Sequence, residues 1–113
     1  MLERRGSVRV SCELASSFRN LDNPTDKTSR FTTVSDISRG GVKLKVPDFI
    51  PLTSNLILSL TMPKHRTVDV RIAPSWISEE PGTGKFHLGA RFVEMSAEAK
   101  IAIQNFQMQA LAS

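Results

Sequence analysis

Two clusters of residues carry side chains suited to gripping a phosphorylated purine. The first, Arg4-Arg5-Gly6-Ser7-Val8-Arg9, reads R-R-x-x-x-R; the second, Asp36-Ile37-Ser38-Arg39-Gly40-Gly41, reads D-x-S-x-x-G. An Arg guanidinium is a planar fork of donors that can satisfy the N7 and O6 acceptors of guanine or two oxygens of a phosphate, and a carboxylate accepts from the N–H donors on guanine's other edge. Arg5 and Arg9, four apart, point the same way on a strand and nearly so on a helix. Asp36 and Ser38 share a strand face, and Gly40-Gly41 can turn without a Cβ in the way, leaving backbone N–H groups open to a phosphate.

Each cluster alone has a plainer reading. Arg4, Arg5 and Arg9 could be a solvated basic start to a strand, and Asp36 and Ser38 could bond nearby backbone in a turn. Joint occurrence shifts the weight to a ligand site.

The elements that must position these residues read mostly as strands. Val8, Val10, Cys12 and Leu14 alternate with Arg9, Ser11 and Glu13; Val42, Leu44 and Val46 alternate with Lys43 and Lys45. Leu56, Leu58, Leu60 and Met62 form another row, Val68, Val70 and Ile72 another, and Phe86, Leu88, Ala90 and Phe92 the last. Arg39-Gly40-Gly41, Met62-Pro63-Lys64-His65 and Glu80-Pro81-Gly82-Thr83-Gly84 are expected hairpin connections. About six short antiparallel strands in a small domain bury one face each most economically by closing into a barrel, which also removes exposed edges. Phe18 to Arg30 breaks the rhythm and is expected to be an exposed loop.

Ser96 is placed to cap a helix over 96–110, with Glu98 in its first turn. Ala99, Ala102, Ile103, Phe106 and Ala110 form its apolar face, and Ile101, Met108 and Leu111 lie roughly opposite as a second stripe. That stripe reads as partial exposure near a terminus or as a contact with a second copy or another protein.

The chain has 113 residues, enough for one domain with a single modest core. Its 40% hydrophobic content and mean hydropathy of -0.16 are those of a soluble globular protein. The one cysteine, Cys12, lies in phase with the apolar row and is expected to be a buried small residue in a reducing compartment. No run approaches the roughly 18 to 20 apolar residues of a membrane span, and Met1-Leu2-Glu3-Arg4-Arg5-Gly6 lacks a signal-peptide core, so the expected location is cytoplasmic. A net charge of +4 and a pI near 9.7 favour an anionic partner without naming it.

No catalytic constellation assembles from the residue types present, and no enzyme is expected. His65 and His87 are the two histidines, neither with another His or a Cys at metal-ligand spacing, and both are expected at the surface in or beside turns. Pro81-Gly82-Thr83-Gly84-Lys85 resembles a phosphate loop, but Glu79 replaces its first Gly and Phe86 its Ser or Thr; a hairpin turn is the better reading.

With both signatures present in order, the chain resembles the PilZ domain, a bacterial receptor module for the second messenger cyclic di-GMP. The likeness extends through Phe86-His87-Leu88-Gly89-Ala90-Arg91-Phe92, similar to a late strand of that family, and through the C-terminal helix. It implies a mainly β fold, a six-stranded antiparallel Greek-key barrel with a C-terminal helix, in one domain over 1–113. Within it, residues 1–9 would be a mobile ligand-binding arm, 10–93 the barrel and 96–110 the helix.

The resemblance also implies roles. Arg5 and Arg9 would contact phosphate and guanine, Asp36 would accept from a guanine edge, Ser38 would bond phosphate or guanine, and Gly40 and Gly41 would allow close backbone approach. An Arg at position 4, just before R-x-x-x-R, accompanies binding of the ligand as a stacked, intercalated dimer in the family. Trp76 and Arg91 are candidates to border the site, with Trp76 equally readable as core. No cofactor beyond the ligand is implied, and signalling would run through a downstream protein.

Two other readings remain open on sequence grounds. A small basic barrel could bind single-stranded nucleic acid, though there is no Tyr and the six Phe fall largely in core rows, leaving few stacking platforms. A PilZ-like adaptor could work through protein contacts alone, although such members usually lack the two signatures. Self-association through the helix stripe is left open as well.

Overall fold

The computed structural model describes residues 9–112 except Pro24 and Asp26. Six strands form a closed antiparallel barrel: β1 (Val10–Asn20), β2 (Arg30–Ile37), β3 (Gly41–Val46), β4 (Leu56–Met62), β5 (Arg66–Glu79) and β6 (Phe86–Glu94), followed by α1 (Ala97–Ala112). Around the barrel the order is β1-β2-β3-β6-β5-β4, so β3 pairs with β6 and β4 returns to β1, which is the Greek-key crossing. The alternating apolar rows become the inside: Leu44, Leu58, Leu60, Val70, Ile72 and Leu88 are almost wholly removed from solvent. Val8, Arg4 and Arg5 fall outside the described residues.

The turns follow the residue types. Gly82 and Gly84 take positive φ in the β5–β6 connection, while Lys64 does so (φ 69°) within a single 3-10 turn between β4 and β5. Ser96 caps α1 through its Oγ, which accepts the Ala99 N–H at 3.1 Å. Ala99, Ala102 and Ile103 are buried against the barrel, and Phe106 is half-buried. Gln107 rather than Ala110 completes that face, because the last turn stands clear and leaves Met108, Ala110 and Leu111 exposed. The helix crosses the barrel end that carries the β2–β3 and β4–β5 turns: Arg39 of one and Pro63 and Lys64 of the other border grooves against it.

The segment from Phe18 to Arg30 differs from the expected loop. β1 continues through Phe18, Arg19 and Asn20, which pair with Leu58, Ile57 and Leu56 of β4. Phe18 keeps the inward phase of Val10, Cys12, Leu14 and Ser16 and is 5% exposed. The polar composition downstream masked this, since one aromatic anchor suffices to hold the strand end. The loop proper starts at Leu21, whose N–H donates to Asn55 O (2.8 Å), and the Asp22 carboxylate accepts from the Asn55 N–H (3.0 Å) and Nδ2 (2.8 Å).

Two predictions come from this end of the barrel. Phe18→Ala should cost about 3–5 kcal/mol in urea unfolding, the range for deleting a buried aromatic; a loss under about 0.5 kcal/mol would fit a surface loop instead. Its two hydrogen bonds from Asn55 hold the Asp22 carboxyl below its ordinary range. That stabilisation is therefore present above the unfolded-state value, about pH 4, and is lost as pH falls through the lower folded value. The thermal-stability gap between the parent and Asp22→Asn should narrow on acidification below that point and stay constant from pH 6 to 8.

Candidate functional site

Two β-bulges build the outer wall of a cleft. In β2, Val34 pairs with Leu44 and Asp36 with Lys43, so Ser35 is the extra residue. A strand has period two, and one added residue reverses which side follows. Val34 and Ile37 consequently both face the core with no exposure, and Asp36, which strict alternation from Thr32 and Val34 would bury, faces outward. In β5 Pro74 pairs with Ala90 and Trp76 with Gly89, leaving Ser75 extra. Pro74 is buried and Trp76, in the same phase by count, is turned out and 42% exposed.

Between these walls lies an open cleft of about 190 Å³ lined by Arg9, Asp36, Ser38, Gly40 and Gly41. Lys43, Ser75, Trp76 and Arg91 complete its walls. Arg9 Nη1 stands 3.8 Å from Asp36 Oδ2, with the Arg side chain 69% exposed and the Asp 16%. That separation is too long for a direct hydrogen bond, and with the Arg side chain largely in water the contact holds it weakly, so the guanidinium is easily released to another partner. Lys43 lies opposite Asp36 in the β2–β3 register, and Arg91 opposite Gly41 in β3–β6. Three cations against one carboxylate give the cleft a positive balance suited to phosphate.

The diglycine turn is held tightly. Ser38 N–H donates to Gly41 O at 2.9 Å, Ser38 Oγ accepts the Gly40 N–H at 3.2 Å and donates to Gly41 O at 3.4 Å, and Gly40 O accepts from Phe92 N–H of β6 at 2.9 Å. Thus the Ser38 hydroxyl and the Gly40 amide serve the turn itself, as the plainer sequence reading has it, while Ser38 Oγ keeps a further lone pair. A Cβ at Gly41 would collide with the Ala90 carbonyl of β6, whereas one at Gly40 would meet nothing within 4 Å. Gly41 is therefore required where β3 and β6 approach, and Gly40 leaves its side of the turn open.

Trp76, left undecided by sequence, lies against β6 in the slot opened by Gly89, where a Cβ would strike its Nε1 and Cε2. An isolated glycine inside a strand signals such close backbone approach, and Gly89 carries that signal within Leu88-Gly89-Ala90. Lys43 and Ser75 reach the cleft through register and bulge, which spacing alone does not disclose. Behind the wall, Cys12 is half-buried with Sγ donating to Val34 O at 3.6 Å; burial first, and the Asp36 carboxylate second, push its thiol up to about 11. His87 is part-buried and holds Glu80 Oε1 at 3.0 Å, while its Nδ1 is buried without a partner; the His65 side chain lies outside the described part of the chain. Among the described residues no His, Cys, Asp and Glu group is arranged to hold a metal, and no helix is long and apolar enough to cross a membrane.

Residues 3–109 match the PilZ domain, a span that contains the R-x-x-x-R segment, the bulged β2 and its diglycine turn, and most of the helix. The chain belongs to the PilZ domain family. No curated protein matches it by sequence. Among solved structures, this PilZ chain is similar to the inhibitor of motility MotI/DgrA of Bacillus subtilis, with 19% identity and a TM-score of 0.78 over 99% of this chain and 53% of that one. It is also similar to the PilZ domain of Escherichia coli YcgR with c-di-GMP, with 17% identity and a TM-score of 0.71 over 97% of this chain and 96% of that one. A third is the Borreliella burgdorferi PlzA protein in complex with c-di-GMP, with 16% identity and a TM-score of 0.56 over 81% and 31%. The PilZ chain thus spans about half of MotI, and at these identities the likeness is one of fold.

The two glycines of the turn should separate in mutagenesis. Gly41→Ala must push β3 from the β6 backbone and should destabilise by about 1–3 kcal/mol, while Gly40→Ala should stay within about 0.5 kcal/mol, both read by urea unfolding. Equal effects would refute the assignment of close approach to Gly41.

Proposed function

We propose that this PilZ domain is a receptor module for cyclic di-GMP, which it holds in the cleft between the β2–β3 turn and Trp76. The observation that carries the reading is the facing of Arg9 and Asp36 across a positively balanced cleft beside the diglycine turn, in a chain of this family. Solved relatives in complex with c-di-GMP, YcgR and PlzA, support the ligand class.

On this reading Arg9 exchanges its loose contact with Asp36 for ligand acceptors, and Asp36 takes the guanine N–H donors. Ser38 offers its remaining lone pair, and Gly40 admits a phosphate without steric cost. Lys43 and Arg91 add charge, and the Trp76 face offers a purine-stacking surface. The cleft is smaller than the roughly 300–1,000 Å³ of an enclosing ligand site, so more wall is needed. Arg4 and Arg5, within the arm of residues 1–9, supply it: that segment enters the cleft rim at Arg9, and ligand binding orders it over the barrel. The changed surface then signals to a downstream protein. Arg4 provides the additional cation for a second, intercalated ligand molecule, whose phosphates would otherwise be unmatched.

Titration calorimetry with cyclic di-GMP tests this. The parent should bind two ligands per chain, and a stoichiometry of one would remove the intercalated dimer while leaving the receptor reading. Arg5→Ala and Arg9→Ala should each weaken binding about ten- to a hundredfold, or about 1.5–3 kcal/mol. Asp36→Ala should erode preference over cyclic di-AMP. Arginine variants that bind like the parent would refute the site.

A further inference from the structure

A second concavity of about 270 Å³ runs between the β2–β3 turn and α1, lined by Arg39, Met95, Lys100, Ile103, Gln104 and Gln107. It shares no lining residue with the candidate nucleotide cleft. Its chemistry is also different. Met95 and Ile103 supply an apolar floor, while Arg39 from the turn and Lys100 from the helix stand exposed as walls from separate elements. Neither cation belongs to an ion pair among the described residues, although elsewhere Arg71 pairs with Glu94 at 3.3 Å and Arg30 with Asp48 at 3.7 Å. No Asp or Glu lines the groove.

We propose that this groove docks an acidic peptide segment of a partner protein, seating an apolar side chain on Met95 and Ile103 and pairing flanking carboxylates with Arg39 and Lys100. The occupant follows from complementarity. A small free anion would satisfy the cations but leave the apolar floor wet, and a plain apolar helix would bury two cations without counter-charge, which is costly. A peptide with both features meets both demands in one extended stretch. The site does not depend on nucleotide binding: it stands or falls with Arg39 and Lys100, which the cleft does not use.

Fluorescence anisotropy with the full chain tests the proposal using three labelled peptides. One has the core Glu-Asp-Leu-Phe-Glu-Asp, one replaces its acids by lysines, and one replaces Leu-Phe by Ser-Ser. The acidic apolar peptide should bind at least about tenfold more tightly than either control. Arg39→Glu and Lys100→Glu should each weaken it about tenfold, and the double variant should prefer the lysine peptide; if either variant melts below the parent, Arg39→Gln and Lys100→Gln replace it. Cyclic di-GMP titration of Lys100→Glu should match the parent, separating failure here from failure of the nucleotide site. Equal binding of the acidic and lysine peptides overturns the proposal. So does indifference to both charge reversals, or charge-dependent capture of phosphatidylglycerol vesicles with no peptide bound.

Discussion

The candidate site rests on the rule that a strand changes face with every residue, and on two places where the chain breaks it. Had β2 continued its alternation past Val34, Asp36 would lie in the barrel interior as a carboxylate with no counter-charge, an expensive arrangement that would force it to protonate or the strand to slip. Ser35 removes that conflict by taking up one position without a partner in β3. Ser75 does the same for Trp76, whose indole would otherwise have to be packed into a core already filled by Leu44, Leu58 and Leu88. Both departures lie on strands that flank the β3–β6 pair, so the displaced side chains converge on one patch of the outer surface. Function here rests on local exceptions to the alternation that builds the barrel.

Most of the regular part was legible because alternation and turn chemistry are local. Val42 to Val46, Leu56 to Met62 and Val68 to Ile72 each announce an inward face, and Gly82 and Gly84 mark the last hairpin. What failed was also local in origin. Phe18 is a single apolar residue ahead of a polar stretch, too little for a periodic signal, yet β4 supplies the partners that hold it. Ala110 fits the helical stripe by count, but a helix longer than the barrel end it covers leaves its last turn in water.

The site divides along the same line. Arg9, just ahead of β1, and Asp36 of β2 come together, and their residue types and spacing had already nominated them. Trp76, Lys43 and Ser75 enter by register and bulge, which are properties of paired strands and not of either strand alone. Gly89 held a readable hint, since a bare backbone position inside an apolar strand asks what lies against it. Ser38 shows the opposite lesson: a hydroxyl with a ligand-like position can spend its hydrogen bonds on its own turn.

Complete closure of the barrel has a consequence for recognition. Each of the six strands has a neighbour on both sides, from β1 between β2 and β4 round to β5 between β4 and β6. Where a strand is paired on both sides its main-chain donors and acceptors are committed within the ring, which closes it to strand addition, the mode in which backbone ladders supply affinity and side chains merely select; residues 10–15 of β1 and 73–79 of β5 are paired on one side. Over the doubly paired stretches, a protein that reads this module must do so through protruding side chains, connecting turns and the lone helix. Its specificity can therefore be rewritten by surface substitutions with the scaffold left untouched.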